Sequence, residues 1–174
     1  VKASAEAIDP GVDLVPVVFD AAADAPLAGV LTGINVHPAD AKLVLPCTSN
    51  LDTVPTLGPP NNTVYHRLDA RQTVVAVAEA APFSIDVVEP KVPVVQNGQY
   101  SLKVVAKRQP GFAGVITVYP LWTPPGMGIA GSAQIPANAT ETTLFVNAAP
   151  NAPVKIWKTA VIAVSDAGKG AVWV

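Results

Sequence analysis

The sequence predicts an all-β chain of two tandem sandwiches, the first incomplete at its N-terminus. Composition, punctuation and an internal repeat carry that expectation. Half of the 174 residues are hydrophobic, and the supply is mostly Val and Ala. Val is stiff at its first side-chain torsion and packs well on a pleated surface, so this supply favours strands. Eighteen Pro and twelve Gly interrupt the chain at short intervals and break it into many short elements, which disfavours long helices. The stretch Asp20-Ala21-Ala22-Ala23-Asp24-Ala25-Pro26 returns as Asn147-Ala148-Ala149-Pro150-Asn151-Ala152-Pro153. Val15, Val17 and Phe19 lead into the first copy, and Thr142, Leu144 and Val146 lead into the second. Such an echo is one supersecondary unit used twice. It divides the chain into a first domain over 1–82, carrying an insertion at 38–72, and a second over 83–174.

In the second half the strands follow from period-two alternation. Phe83, Ile85 and Val87 alternate with Ser84 and Asp86, and Pro90 and Pro93 then interrupt. Tyr100, Leu102, Val104 and Ala106 point one way while Ser101, Lys103 and Lys107 point the other, the pattern of a half-buried antiparallel strand. Gln109-Pro110-Gly111 turns the chain into a strand from Gly114 to Trp122, and Thr123-Pro124-Pro125-Gly126 ends it. Further strands are expected over Ile129–Ile135, Thr140–Asn147 and Val154–Val164, with one more over Gly170–Val174. About seven strands in roughly 90 residues, with turn signals every 8 to 12 positions, is the rhythm of an immunoglobulin-like sandwich.

The repeat places Val1–Ile8, Val15–Asp20 and Leu27–Val36 on the later strands of an equivalent sandwich, so the opening three strands have no counterpart. The 38–72 insertion offers Leu43–Leu45, a turn at Gly58-Pro59-Pro60-Asn61-Asn62 and a strand from Thr63 to Leu68, before Gln72–Ala78 supplies the final strand. Both ends read as cuts through domains of a longer protein. Uncovered strand edges template association, so the expectation is that adjacent domains or another chain complete the first sandwich, self-association included; the alternative is that residues 38–72 fold back to supply the missing strands.

Composition also excludes. Net charge is −2, and the densest basic group, Lys103, Lys107 and Arg108, sits on a strand as a solvated face, so nucleic acid is not an expected partner. No apolar run approaches the roughly 18 residues of a membrane-spanning helix, so no membrane insertion is expected. Cys47 is the only cysteine and reads as a small buried hydrophobe. Asn61-Asn62-Thr63 and Asn138-Ala139-Thr140 match the glycosylation pattern, a short motif common by chance.

The stretches EPKVPVVQNGQYSLKVVAKR, LWTPPGMG and APVKIWKTAVIAV, with the closing GAVWV, resemble the Ig-like modules of large secreted or envelope-associated proteins of planctomycete-type bacteria, which often lie beside pre-peptidase domains. The segment GPPNNTVYHRLDARQTVVAVAEAAPFSIDVVEP resembles the linker between two such modules. The likeness covers most of the chain from Val12 onward. It implies a tandem Ig-like architecture and an extracellular or cell-envelope location, and it brings no catalytic residues.

Side chains capable of chemistry are few, and plain structural roles suit them better. His37 and His66 each precede an aspartate by three residues, Asp40 and Asp69, and read as surface loop residues. A zinc site would need these and Cys47 to converge. Gly126-Met127-Gly128-Ile129-Ala130-Gly131 only superficially resembles a dinucleotide loop, since no helix follows. Asp20 and Asp24 become Asn147 and Asn151 in the repeat, which fits side-chain oxygens capping turns and not a cation site. Asp86 and Glu89 remain as calcium candidates at the interdomain junction. Trp122 and Trp157 are expected to face each other in the core. No catalytic, cofactor or metal residue is assigned. The expected function is a non-enzymatic structural or adhesive segment of a larger exported bacterial protein. The alternative is a carbohydrate-binding or accessory module of a secreted hydrolase, which requires Trp122, Trp157 or Trp173 to be exposed and aligned.

Overall fold

A computed structural model of the chain describes residues 1–22, 24–40, 42–43, 52–59, 61, 63–129, 131–168 and 170–174, and every regular element among them is a β-strand. Cys47, Asn62 and the Val44-Leu45 part of one strand candidate lie outside the described residues. The chain divides into two compact units, Val1–Ala3 with Phe19–Glu79 and Ser4–Val18 with Ala80–Val174. Ser4–Val18, expected in the first domain, therefore belongs with the second. Within that unit Glu6 pairs with Lys158 and Asp9 with Lys155.

In the first part of the chain the strands are β1 (Lys2–Ala5), β2 (Val17–Asp20), β3 (Ala28–Thr32), β4 (Asp52–Gly58), β5 (Thr63–Ala70) and β6 (Thr73–Val77). They pair only in twos: β1 with β2, β3 with β6, and β4 with β5. Among the described residues of the 38–72 insertion, β4 and β5 form a hairpin with each other and neither joins the β3–β6 ribbon. Among the first-unit residues whose side chains are described none is buried, and Leu27, Val30, Leu31 and Val74 stay 60–67% exposed.

The second unit holds β7 (Phe83–Val87), β8 (Gln99–Arg108), β9 (Ile116–Trp122), β10 (Met127–Ile129), β11 (Ala133–Ile135), β12 (Glu141–Ala148), β13 (Ala160–Asp166) and β14 (Ala171–Trp173). Two four-stranded antiparallel sheets result, ordered β10-β12-β8-β7 and β11-β9-β13-β14. The alternation read from the sequence sets which side chains turn inward. Leu102, Val104 and Ala106 of β8 and Leu144 and Val146 of β12 meet Ile116 and Val118 of β9, Ile135 of β11 and Ala163 of β13 in one core with Phe83. Burying each such Val, Leu, Ile or Phe contributes roughly 1.5–3 kcal/mol. Among the described residues Ser165 is the one buried polar residue, and its hydroxyl donates to the Val115 carbonyl at 2.8 Å.

Two segments depart from expectation. Ile129–Ile135 is not one strand: Met127–Ile129 pairs with β12 and Ala133–Ile135 with β9, so the chain changes sheets between them. Each half of the apolar run finds its ladder partner in a different layer. Val154–Val164 is a strand only from Ala160. Upstream of it, Lys155 and Lys158 are engaged by Asp9 and Glu6, and Val154 and Ile156 are left 92% and 93% exposed.

The turns obey their residues. Phe112 N–H bonds the Gln109 carbonyl at 3.1 Å and Met127 N–H the Pro124 carbonyl at 3.0 Å. In each turn a proline holds the second position and a glycine with positive φ the third, at 86° for Gly111 and 72° for Gly126. That is the arrangement of a type II turn. A Cβ on Gly126 would also stand 2.8 Å from the Ala152 Cα. Gly126→Ala is therefore expected to cost about 1–3 kcal/mol, a combination of backbone strain and displaced loop. A urea midpoint equal to that of the parent protein would refute this.

Candidate interaction face

The outward face of the β11-β9-β13-β14 sheet carries the most distinctive surface chemistry of the second unit. Ile116 and Val118 point into the core, so parity sends Thr117, Tyr119 and Leu121 outward. Residues opposite each other in a ladder share a face. Tyr119 opposes Ile162, Thr117 opposes both Val164 and Gln134, and Val164 opposes Trp173. The face therefore runs across four strands, aliphatic and aromatic residues interleaved with Thr117 and Gln134, and among its described strand residues Asp166, at one end, is the only charged side chain. Trp173 is 56% exposed and its ring centroid lies 6.5 Å from that of Tyr119, at an interplanar angle of 33°. Antiparallel sheets ordinarily turn a polar face to water. A tryptophan and a tyrosine side by side on an exposed sheet offer large, rigid contact area with polar tips, the chemistry enriched where surfaces bind.

Trp122 and Trp157 do meet, at 6.3 Å and 57°, but outside the hydrophobic core cluster. Both are half-buried at the end of β9, where the Thr159 hydroxyl donates to the Trp122 carbonyl at 2.8 Å. They line a cavity of about 110 Å³ with Val12, Val15 and Pro16, and the Lys155 ammonium lies 4.7 Å from the centre of the Trp157 ring. Trp157 Nε1 is buried there with no protein acceptor. Their mutual packing leaves neither ring presented as a flat platform, so of the three tryptophans only Trp173 meets the requirement for surface stacking.

The remaining candidates are dispersed. Lys103 pairs with Glu141 at 2.9 Å and Lys107 with Asp86 at 2.6 Å, each across neighbouring strands. Arg108 turns from the surface to donate to the carbonyls of Gly114 at 2.7 Å and Pro136 at 2.9 Å. The three residues thus form no continuous basic stripe. Asp86, a calcium candidate, is engaged by Lys107, while Glu89 is exposed. His37 lies exposed in the loop after β3, and His66 is exposed on β5. Asp40 accepts the Lys42 N–H at 2.9 Å as a local turn. Among the described residues no group of three His, Cys, Asp or Glu converges on a metal position. The Gly126–Gly131 stretch leads from a turn into β10, a strand and not a helix.

The Tyr119–Trp173 pair escapes sequence reasoning because its members come from strands far apart in the chain. The usable signal is Tyr119 itself, an aromatic residue one position out of phase with the core residues Ile116 and Val118. No protein-family model matches the chain, and no curated protein matches it.

Proposed function

We propose that this chain is a non-enzymatic adhesive or structural segment of a larger exported bacterial protein, built on immunoglobulin-like modules and presenting the Tyr119–Trp173 sheet face to a partner. The aromatic pair Tyr119–Trp173 on an outer sheet face with a single charged strand residue is the observation that carries the reading. Support for the fold comes from the two strand orders. The order β7-β8-β12-β10 in one sheet and the run β9-β13-β14 in the other resemble the ABED and CFG arrangement of immunoglobulin constant-type domains, with β11 as an additional edge strand beside β9. Support for a second copy comes from the repeat. Ala25 N–H bonds the Ala22 carbonyl at 3.0 Å, and at the repeat-equivalent positions Ala152 N–H bonds the Ala149 carbonyl at 3.1 Å. In each half this turn connects the strand before it to a strand in a different sheet.

Carbohydrate binding is the second reading, favoured by the exposure of Trp173 beside Tyr119 with Thr117 and Gln134 on the same face. One experiment separates the two. Purified chain and a Tyr119→Ala/Trp173→Ala variant are applied to isolated bacterial envelopes, untreated, protease-treated or periodate-oxidised. The adhesive reading expects retention that falls at least about tenfold in the variant, the loss of one or two interface anchors, and that is abolished by protease. Loss on periodate treatment alone supports the saccharide reading. Retention unaffected by the substitutions overturns both.

A further inference from the structure

Residues 6–16 form a loop whose two ends are held together, since the flanking strands β1 and β2 pair with each other. The loop belongs to the second unit, as do Trp122 and Trp157, and it lines the cavity beside them. Few contacts attach it. Glu6 pairs with Lys158 and Asp9 with Lys155, and these four side chains are 39–74% exposed. Val12, Val15 and Pro16 add apolar cover. Among the described residues, the only backbone hydrogen bond of the loop runs from Val12 N–H to the Asp9 carbonyl, inside the loop itself. Exposed ion pairs hold weakly and are screened by salt. The loop also fits its seat incompletely, because a cavity of about 110 Å³ remains among these side chains and Trp157 Nε1 is buried without an acceptor.

The spacing of the seat matches that of the loop. Glu6 and Asp9 stand three positions apart, as do Lys155 and Lys158, and they pair in opposite order, so the two segments meet in opposite directions. The Lys155 ammonium lies 4.7 Å from the centre of the Trp157 ring, a contact that places the cation for an incoming carboxylate. Val12 and Val15 continue the spacing of three and put aliphatic side chains in the same cavity as the two indoles. We infer that Trp122, Lys155, Trp157 and Lys158 form a recognition site for an acidic peptide segment of the pattern acid-x-x-acid-x-x-Val-x-x-Val, and that residues 6–16 are a strap occupying it in cis until such a segment of a partner protein displaces them. Charge complementarity and the chemistry of the strap define the occupant: two carboxylates for two ammonium groups, and aliphatic residues for two tryptophans. The site shares no residue with the Tyr119–Trp173 pair.

The test uses the full chain carrying Trp173→Phe, which leaves Trp122 and Trp157 as its tryptophans, and every variant is first confirmed to keep the parent circular dichroism. Glu6→Lys/Asp9→Lys sets like charges against Lys158 and Lys155 and is expected to lift the strap, raising acrylamide quenching of both indoles. Rising sodium chloride is expected to raise the same quenching in the unreversed chain. A labelled peptide with the sequence of residues 4–18 is expected to bind the reversed chain at least about tenfold more tightly than the unreversed one, because the competitor in cis is gone. That affinity is expected to vanish when the peptide carries Gln and Asn in place of Glu6 and Asp9. Adding Lys155→Glu/Lys158→Glu to the reversed chain rebuilds both ion pairs with opposite polarity, and should return quenching to its starting level and abolish peptide binding. A peptide that binds the reversed and unreversed chains equally, or neither of them, overturns the inference. So does quenching that Glu6→Lys/Asp9→Lys leaves unchanged, which would make residues 6–16 a permanent part of the second unit.

Discussion

Ile116→Ala is expected to destabilise the second unit by roughly 2–5 kcal/mol, the upper range for truncating one aliphatic core side chain. Ile116 is fully buried and sits on β9 between β11 and β13, with Ile135 directly opposite it in the β11 ladder. Removing its side chain beyond Cβ forfeits the transfer free energy and leaves a void that close-packed neighbours fill only in part. A single domain has about 5–15 kcal/mol in all, so the loss is a large share of the total. Tyr119→Ala supplies the internal control. It removes a larger side chain from the same strand, but from the outward face, and its cost should stay near 0.5–1 kcal/mol. Urea denaturation followed by far-ultraviolet circular dichroism measures both. Equal costs at the two positions would mean that the inward and outward faces of β9 have been assigned wrongly.

Arg108→Met is expected to cost about 3 kcal/mol, through polar satisfaction and not through packing. The guanidinium at the end of β8 donates to Gly114, Ile135 and Pro136 carbonyls at 2.7, 3.2 and 2.9 Å, and stands 5.8 Å over the Phe112 ring. It thus ties the end of the first sheet to the turn that enters β9 and to the turn after β11. Methionine keeps much of the volume but strands those carbonyls without their donor. Arg108 Nε is itself buried without a partner, which offsets part of the gain and holds the expected cost near this value. Arg108→Lys should recover less than half the loss, since an ammonium cannot reproduce the planar fork. Full recovery by lysine, measured as the unfolding midpoint, would show that charge alone matters at this position.

The second unit is legible in the sequence wherever alternation and turn chemistry agree. Tyr100 to Ala106 define the inward and outward faces of β8, and Gln109-Pro110-Gly111 and Pro124-Pro125-Gly126 define the stops. Alternation reports which face a residue takes but not whether a ladder partner exists. Val154-Lys155-Ile156-Trp157 alternates like a strand, yet Lys155 is engaged by Asp9 from a distant segment and the stretch joins no sheet. For the same reason Ile129–Ile135 reads as a single strand. Its split depends on β12 and β9 each offering an edge, a fact of three dimensions. The face of Tyr119 and Trp173 is hidden similarly, because the sequence separates two residues that the β9–β13–β14 ladders bring together. The mutual contact of Trp122 and Trp157 is legible from their apolar surroundings. Their site at the end of β9 is not, because it depends on Val12, Val15 and Pro16, which the repeat assigns to the other domain.

The pairing of β8 with β12 has a consequence for how the protein is made. β8 is a central strand, hydrogen-bonded to β7 on one side and to β12 on the other. The ribosome releases β7 and β8 in immediate succession, so that hairpin can close early. β12 follows only after β9, β10 and β11, and at synthesis rates of about 5–20 residues per second the open edge of β8 waits on the order of a few seconds. Throughout that interval Leu102 and Val104 lack their cover from Leu144 and Thr142, the residues that oppose them in the finished ladder. The emerging chain is then a sticky half-sheet, and sparse crowding by neighbouring nascent chains, or a holding chaperone at the exit, becomes a condition for clean assembly.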